Sequence, residues 1–261
     1  MSATDANLDV ADEACAPATG YLVETQKPLQ ALIFLLPLIT LYEVGLIRYG
    51  TDETAQVELD IFARRILEVF LAWFGIGGVA LPGIIVVVVL LCMHLVRRDP
   101  WHIVPRHYLF MAAESLALAL PMFVLSLVLF RSPPVAQAVT ETGPDALYNV
   151  PLVGRLLFNL GAGIYEELVF RLIALALLHW LLVDVFKMEH LYGSIIAISV
   201  SALAFAAYHL NLGQTEMIDW LTLGFRTIAG LYFAAIYLMR GFGVVVGTHA
   251  TYDVLVELFR A

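Results

Sequence analysis

The chain has 261 residues, of which 61% are hydrophobic and only 14% charged, with a formal net charge of −9 and a mean hydropathy of +0.86. Soluble domains are roughly 45–50% apolar and about 25% charged, so this composition excludes an ordinary soluble domain and indicates a multi-pass integral membrane protein. The acidic balance argues against a nucleic-acid-binding protein. For a bacterial chain the expected location is the plasma membrane.

The N-terminal half contains three predicted spans and one surface helix. A disordered or loosely attached acidic tail over 1–27 lacks the basic segment and early apolar run of a cleaved signal peptide. Apolar stretches at about 29–47, 79–96 and 108–130 are predicted to cross the membrane. Residues 56–74 place charged and apolar side chains at helical spacing, which predicts an amphipathic helix on the membrane surface.

The C-terminal half contains four more predicted spans after a polar, proline-containing loop over 131–150. These spans lie at about 157–185, 193–210, 217–239 and 242–259. Residues 28–261 are therefore predicted to form a single all-α domain, a polytopic transmembrane bundle of about seven spans with one amphipathic surface helix.

Six candidate ionisable side chains lie within three of the last four spans. They are Glu166, Glu167, Arg171, His209, His249 and Asp253. Because a charge near the bilayer centre costs roughly 2.5–3.5 kcal/mol on insertion scales, such residues need compensating partners and often mark a function. We interpret them as a buried active site.

The two glutamates differ in their local partners. Glu167 and Arg171 are four residues apart, so they share a helix face and can form an ion pair. Glu166 lies about 100° around the helix from Glu167 and lacks that partner, which makes it the better candidate for a general base. The alternative is that both glutamates only join helices through hydrogen bonds.

The two histidines also occur at helical spacing from a second candidate residue. Phe205 and His209 are four residues apart near the end of a span, and His249 and Asp253 share one face of the last helix. Taken alone, His209 could be an interfacial or core histidine bonded to a backbone carbonyl. His249 and Asp253 could be a hydrogen-bonded pair that braces the last helix.

Together these residues resemble three motifs of the CPBP family, the CaaX protease and bacteriocin-processing group of intramembrane endopeptidases. EELVFR at 166–171 resembles the EExxxR motif, and FAAYH at 205–209 resembles the FxxxH motif. HATYD at 249–253 resembles the HxxxN motif, with Asp in place of Asn. The resemblance covers about 155–257.

The resemblance implies a glutamic-type intramembrane peptidase that uses no metal or other cofactor. Glu166 with His209 would activate water for attack on a peptide carbonyl, while His249 and Asp253 would stabilise the oxyanion. The implied partners are the lipid bilayer and a peptide or lipidated protein substrate. Supporting structural positions would be filled by Glu167, Arg171 and Phe205.

Asp253 departs from the family motif. An ionised aspartate repels an oxyanion, so Asp253 would either be a protonated donor or act as a carboxylate that orients His249.

Two other functions fit parts of the pattern. A non-catalytic immunity or scaffold protein of the same fold could bind a membrane peptide in the same cavity. A zinc metallopeptidase could use two histidines and one or two glutamates as ligands, although the chain has no HExxH motif.

Overall fold

The computed structural model describes residues 20–52, 57–58, 61–78, 80–130, 150–209 and 219–260. The first 19 residues of the predicted tail and the predicted loop up to residue 149 lie outside these ranges.

The described chain is built almost entirely from helices, which confirms the all-α prediction. The α-helices are α1 Tyr21–Glu24, α2 Pro28–Tyr49, α3 Phe62–Ala72, α4 Leu81–Arg97, α5 Pro105–Leu129, α6 Leu152–Glu167, α7 Ala176–His179, α8 His190–Tyr208, α9 Trp220–Arg240 and α10 Phe242–Arg260. Two short strands, β1 Thr51–Asp52 and β2 Val57–Glu58, pair antiparallel after α2.

Six helical runs in the described ranges are long and apolar enough to cross a membrane. They are Pro28–Tyr49, Pro105–Leu129, Leu152–Val185, His190–Tyr208, Trp220–Arg240 and Phe242–Phe259. The stretch predicted as a span over 79–96 forms α4, an apolar helix of 17 residues, which is at the short end of the length needed to cross a bilayer. The protein is therefore a multi-pass integral membrane protein.

The amphipathic segment predicted over 56–74 forms the shorter helix α3, which lies against the bundle. Ala63 and Leu67 are buried, whereas Val69 and Phe70 are exposed. The backbone N–H of Ala63 donates to the Tyr208 hydroxyl at 3.0 Å, which attaches α3 to the end of α8.

Helix α10 is the central helix of the bundle. In its apolar window 72% of the residues are buried, against 50% or less in the other spans, and it packs against α2, α5, α6 and α9. The contact with α6 is close because Gly163 has no side chain: a Cβ there would lie 2.9 Å from the Ala250 Cβ. Small residues permit this kind of helix approach within membranes.

Helix α6 continues without a break into a wider helical run. A π-helical segment covers Leu168–Leu175, α7 follows, and a second π-helical segment covers Trp180–Val185. π-Helical turns are uncommon and are frequently found at functional sites. The first of these segments begins directly after the glutamate pair and contains Arg171.

The end of the predicted tail packs against the bundle. Arg240, at the end of α9, donates from Nη1 to the Leu22 carbonyl at 2.9 Å and from Nη2 to the Thr25 hydroxyl at 3.0 Å. The Tyr21 hydroxyl donates to Glu114 of α5 at 2.6 Å. These bonds hold residues 21–25 in place, so the loosely attached tail expected from the sequence does not extend to residue 27.

Candidate active site

The structure brings all six ionisable residues of the three motifs into one buried cluster. Each is at most 8% exposed. They come from three places in the fold, namely the α6 run, the C-terminal end of α8 and the middle of α10. They are Glu166, Glu167, Arg171, His209, His249 and Asp253.

Glu166 lies between the two histidines. Its Oε2 is 3.5 Å from His209 Nε2 and 3.9 Å from His249 Nε2. Both separations exceed the usual length of a direct N–H···O hydrogen bond. Oε2 receives no hydrogen bond within the described ranges, so this carboxylate oxygen is available to a further ligand.

Glu167 connects its own helical run to α10. Its Oε2 pairs with Arg171 Nε at 3.1 Å, the ion pair predicted from their spacing, and its Oε1 lies 2.7 Å from His249 Nδ1. An ionised carboxylate only accepts hydrogen bonds, so Nδ1 of His249 donates to it. This contact fixes the imidazole with Nε2 facing Glu166 and Asp253, whose Oδ2 is 3.4 Å away.

His209 is held at the C-terminal end of α8. Its Nδ1 lies 2.8 Å from the Phe205 carbonyl oxygen, which can only accept, so Nδ1 donates. In the neutral imidazole, Nε2 is then the unprotonated nitrogen, and it faces Glu166. The His209 carbonyl oxygen accepts a hydrogen bond from Nη1 of Arg226 at 2.8 Å.

Aromatic rings enclose these polar groups. The Phe205 ring is 4.8 Å from the His209 ring and 5.8 Å from the His249 ring, and the Arg171 guanidinium carbon lies 4.5 Å from the Phe205 centroid. Phe233 of α9 stacks on His249 at 4.6 Å and 17°. Phe205 therefore contacts the rings of both histidines.

Three residues that contact the site were not predicted from the sequence. Phe233 stacks on His249, Asn159 donates to the Asp253 backbone carbonyl at 3.2 Å, and Arg226 bonds to His209. Asn159 and Phe233 carry no sequence signal that separates them from other helix residues. Arg226 does, because it is a charged residue within a predicted span, the criterion that selected the other ionisable residues.

In the described ranges, no group of three or more His, Cys, Asp or Glu side chains is arranged to hold a metal ion.

Residues 148–255 match a family model described as Type II CAAX prenyl endopeptidase Rce1-like. We call these residues the Rce1-like segment after this match. The match confirms that this segment resembles the CPBP family, and it supports a CAAX-protease-like membrane protein. No curated protein and no solved structure matches the chain significantly.

The Rce1-like segment contains every candidate site residue, and helices outside it pack against its core. The Tyr165 hydroxyl, next to Glu166 in the chain, donates to Glu43 of α2 at 3.0 Å. The hydroxyl of Ser115 on α5 donates to the Val244 carbonyl of α10 at 3.4 Å. These two bonds attach the N-terminal helices α2 and α5 to α6 and α10.

Proposed function

We propose that this protein is an intramembrane endopeptidase of the CaaX-protease-like type, which hydrolyses a peptide bond with water activated by Glu166 and His209. The main support is the position of Glu166, whose unbonded Oε2 lies 3.5 Å and 3.9 Å from two histidine nitrogens. A water molecule can bridge groups at such separations.

In the first step this water attacks the substrate carbonyl carbon. Glu166, with His209 Nε2 beside it, takes the proton as the new C–O bond forms. The carbonyl π electrons move to the oxygen, which becomes a tetrahedral oxyanion. Both groups face the attacking water because Nδ1 of His209 is already committed to the Phe205 carbonyl.

His249 is the group best placed to stabilise the oxyanion. Since its Nδ1 proton is committed to Glu167, donation to substrate requires that Nε2 also carries a proton, so that the ring is an imidazolium. Glu167 and Asp253, at 2.7 Å and 3.4 Å, are the counter-charges for this cation. A charged donor in a site shielded from water is an effective oxyanion stabiliser.

In this mechanism Asp253 acts as a carboxylate that orients His249. Its Oδ2 lies 3.4 Å from Nε2, close enough to attract the imidazolium yet too far to hold that proton in a short hydrogen bond. The tetrahedral intermediate then collapses. The C–N bond breaks, and the departing amine receives the proton held by Glu166 and His209, which yields a carboxylic acid and an amine.

The substrate we infer is a membrane-embedded or lipidated peptide. The site lies within the spans, and its walls include the apolar rings of Phe205 and Phe233. The Rce1-like match supports the same class of substrate.

The test compares membrane peptides, by mass spectrometry, from cells that contain wild-type protein, Glu166→Gln or no protein. We expect a set of peptides cleaved only with the wild type. Glu189→Gln, the same change at an exposed site, is the matched control and should cleave like the wild type. If Glu166→Gln gave the same peptides as the wild type, the proposal would be wrong, and the non-catalytic scaffold would become the better interpretation.

A second experiment separates this mechanism from zinc catalysis. Water activated by a carboxylate and an imidazole needs no cation, so activity in detergent should survive prolonged treatment with EDTA or phenanthroline. Activity that disappears with chelator and returns with added zinc would support the metallopeptidase.

A further inference from the structure

Arg226 is a buried cation that the proposed mechanism leaves without a role. It lies in the first two turns of α9 and is only 8% exposed. Its Nη1 donates to the His209 carbonyl at 2.8 Å. A permanent charge within a membrane span is costly, so its position beside the site calls for a compensating partner.

The carboxylates of the site outnumber the arginines that pair with them directly. Arg171 is paired with Glu167, which also holds His249. Glu166 and Asp253 form no ion pair with an arginine in the described part of the chain. A buried carboxylate without a counter-charge is strongly unfavourable, so a second cation in addition to His249 would stabilise these two groups.

Arg226 is placed to be that cation. The residue before it, Phe225, contacts the ring of Tyr252, the residue before Asp253, with centroids 6.4 Å apart. Helices α9 and α10 pack against each other, and this ring contact places the turn that carries Arg226 beside the turn that carries Asp253. His249 is shared with Glu167, which leaves Arg226 as the permanent charge for residue 253.

We propose that Arg226 is a positioning residue that holds His209 through its carbonyl oxygen and balances the negative charge of Asp253. This explains how the chain can carry an aspartate where the family motif has a neutral asparagine: the acidic residue and Arg226 form a coupled pair. The effect on catalysis rests on the proposed function, whereas the effect on stability does not.

A double-mutant cycle tests the pair in the full-length protein in detergent, with Arg226→Gln, Asp253→Asn and the combination. Arg226→Gln should lower kcat about 10-fold, with a smaller change in KM, and should lower the thermal unfolding midpoint. In the Asp253→Asn protein the same change should lower kcat only about 2-fold and leave the midpoint nearly unchanged, because no aspartate charge remains to be balanced.

Two further variants test whether the effect depends on the positive charge at residue 226 and on its position. Arg226→Lys keeps the charge and should lose less activity than Arg226→Gln. Arg240→Gln removes the buried arginine at the other end of α9, which bonds to Glu114, and its effect should be the same with Asp or Asn at position 253.

The outcomes separate this proposal from the proposed function. Equal losses for Arg226→Gln with Asp or Asn at position 253 would overturn the charge pairing. If the wild type cleaved nothing, the proposed function would fail, but the coupling of unfolding midpoints would still support or overturn the pair. If Arg226→Gln did not fold, recovery of a folded protein in the double variant would support the pair, and failure of the double variant alongside a folded Asp253→Asn would overturn it.

Discussion

Helix α9 carries a buried arginine near each end, and the two differ in how completely their donors are used. Arg240 bonds to both carboxylate oxygens of Glu114, to the Leu22 carbonyl and to the Thr25 hydroxyl. Arg226 makes one hydrogen bond in the described ranges, to the His209 carbonyl. The four bonds of Arg240 hold neighbouring segments of the bundle rigidly together. Within the same ranges Arg226 has most of its donors unused and lies beside acidic groups, so its main contribution is its positive charge.

The acidic residues near the two arginines also differ in how many of their oxygens accept hydrogen bonds. Glu114 accepts bonds from Arg240 and from the Tyr21 hydroxyl. In contrast, Glu166 Oε2 and Asp253 Oδ2 accept no hydrogen bond in the described part of the chain. Atoms left unpaired at such a cost are typical of a place where a ligand binds, since structural networks are usually saturated. Four experiments test this difference between the two groups of residues.

The largest effect is expected at the site, where one carboxylate oxygen each of Glu166 and Asp253 accepts no hydrogen bond within the described ranges. Glu166→Gln should lower cleavage at least 100-fold by removing the base, with little change in the unfolding midpoint, because Oε2 holds no structural bond. Activity of purified variants and thermal unfolding in detergent measure the two effects.

Glu167→Gln is the paired control for that experiment. It leaves Arg171 buried without its counter-charge, so yield and thermal stability should fall. If Glu167→Gln were stable and inactive while Glu166→Gln was active and unstable, the assigned roles would be reversed.

At the C-terminal end of α9, where Arg240 makes four hydrogen bonds, Arg240→Gln should lower stability without changing catalysis. Loss of the bonds to Glu114, Leu22 and Thr25 should cost about 2–3 kcal/mol, less than a fully buried pair because Glu114 is partly exposed. The unfolding midpoint should fall, while kcat per folded molecule stays close to wild type. A selective loss of kcat in folded protein would show that this end also contributes to the chemistry.

A smaller effect is expected from Asp253→Asn. If the carboxylate orients His249, the change should cost about 10-fold in kcat across the pH range. If Asp253 is instead a protonated donor, the amide keeps a donor, so activity should be preserved or raised and should decline less at alkaline pH. The pH profiles of the two proteins distinguish the roles, and full activity of Asp253→Ala at every pH would exclude both.

The smallest effect concerns Tyr21, which lies outside the spans. Burial, together with its hydrogen bond to Glu114, raises the pKa of Tyr21 to about 12. A raised pKa in the folded state stabilises the protein below the unfolded pKa of about 10, and this contribution is lost as pH rises towards 12. Wild type should lose more stability than Tyr21→Phe between pH 10 and 12, and parallel curves would contradict this.

The sequence was sufficient for features that depend on neighbours along one helix. Apolar length predicted the spans, and four-residue spacing predicted the Glu167 pair with Arg171 and the approach of His249 to Asp253. The surface helix was predicted too long, over 56–74 instead of Phe62–Ala72, because charged residues at helical spacing do not mark where a helix begins.

Contacts between helices could not be predicted in this way. The bond from His249 to Glu167 depends on the packing of α10 against α6, and the bond from Arg226 to His209 depends on α9 lying beside the end of α8. Neither interhelical distance is encoded in the spacing of residues on one helix. Arg226 could have been flagged as a charged residue in a span, but its partner could not have been named.

The close contact between Gly163 and Ala250 leaves no room for a methyl group between helices α6 and α10. A Cβ at residue 163 would lie 2.8 Å from the Ala250 backbone nitrogen, inside van der Waals contact. A single carbon atom there would push apart the two helices that carry Glu167 and His249. The alignment of Glu167 with His249 therefore depends on the absence of a side chain at Gly163, which lies one helical turn before Glu167 and takes no part in the reaction.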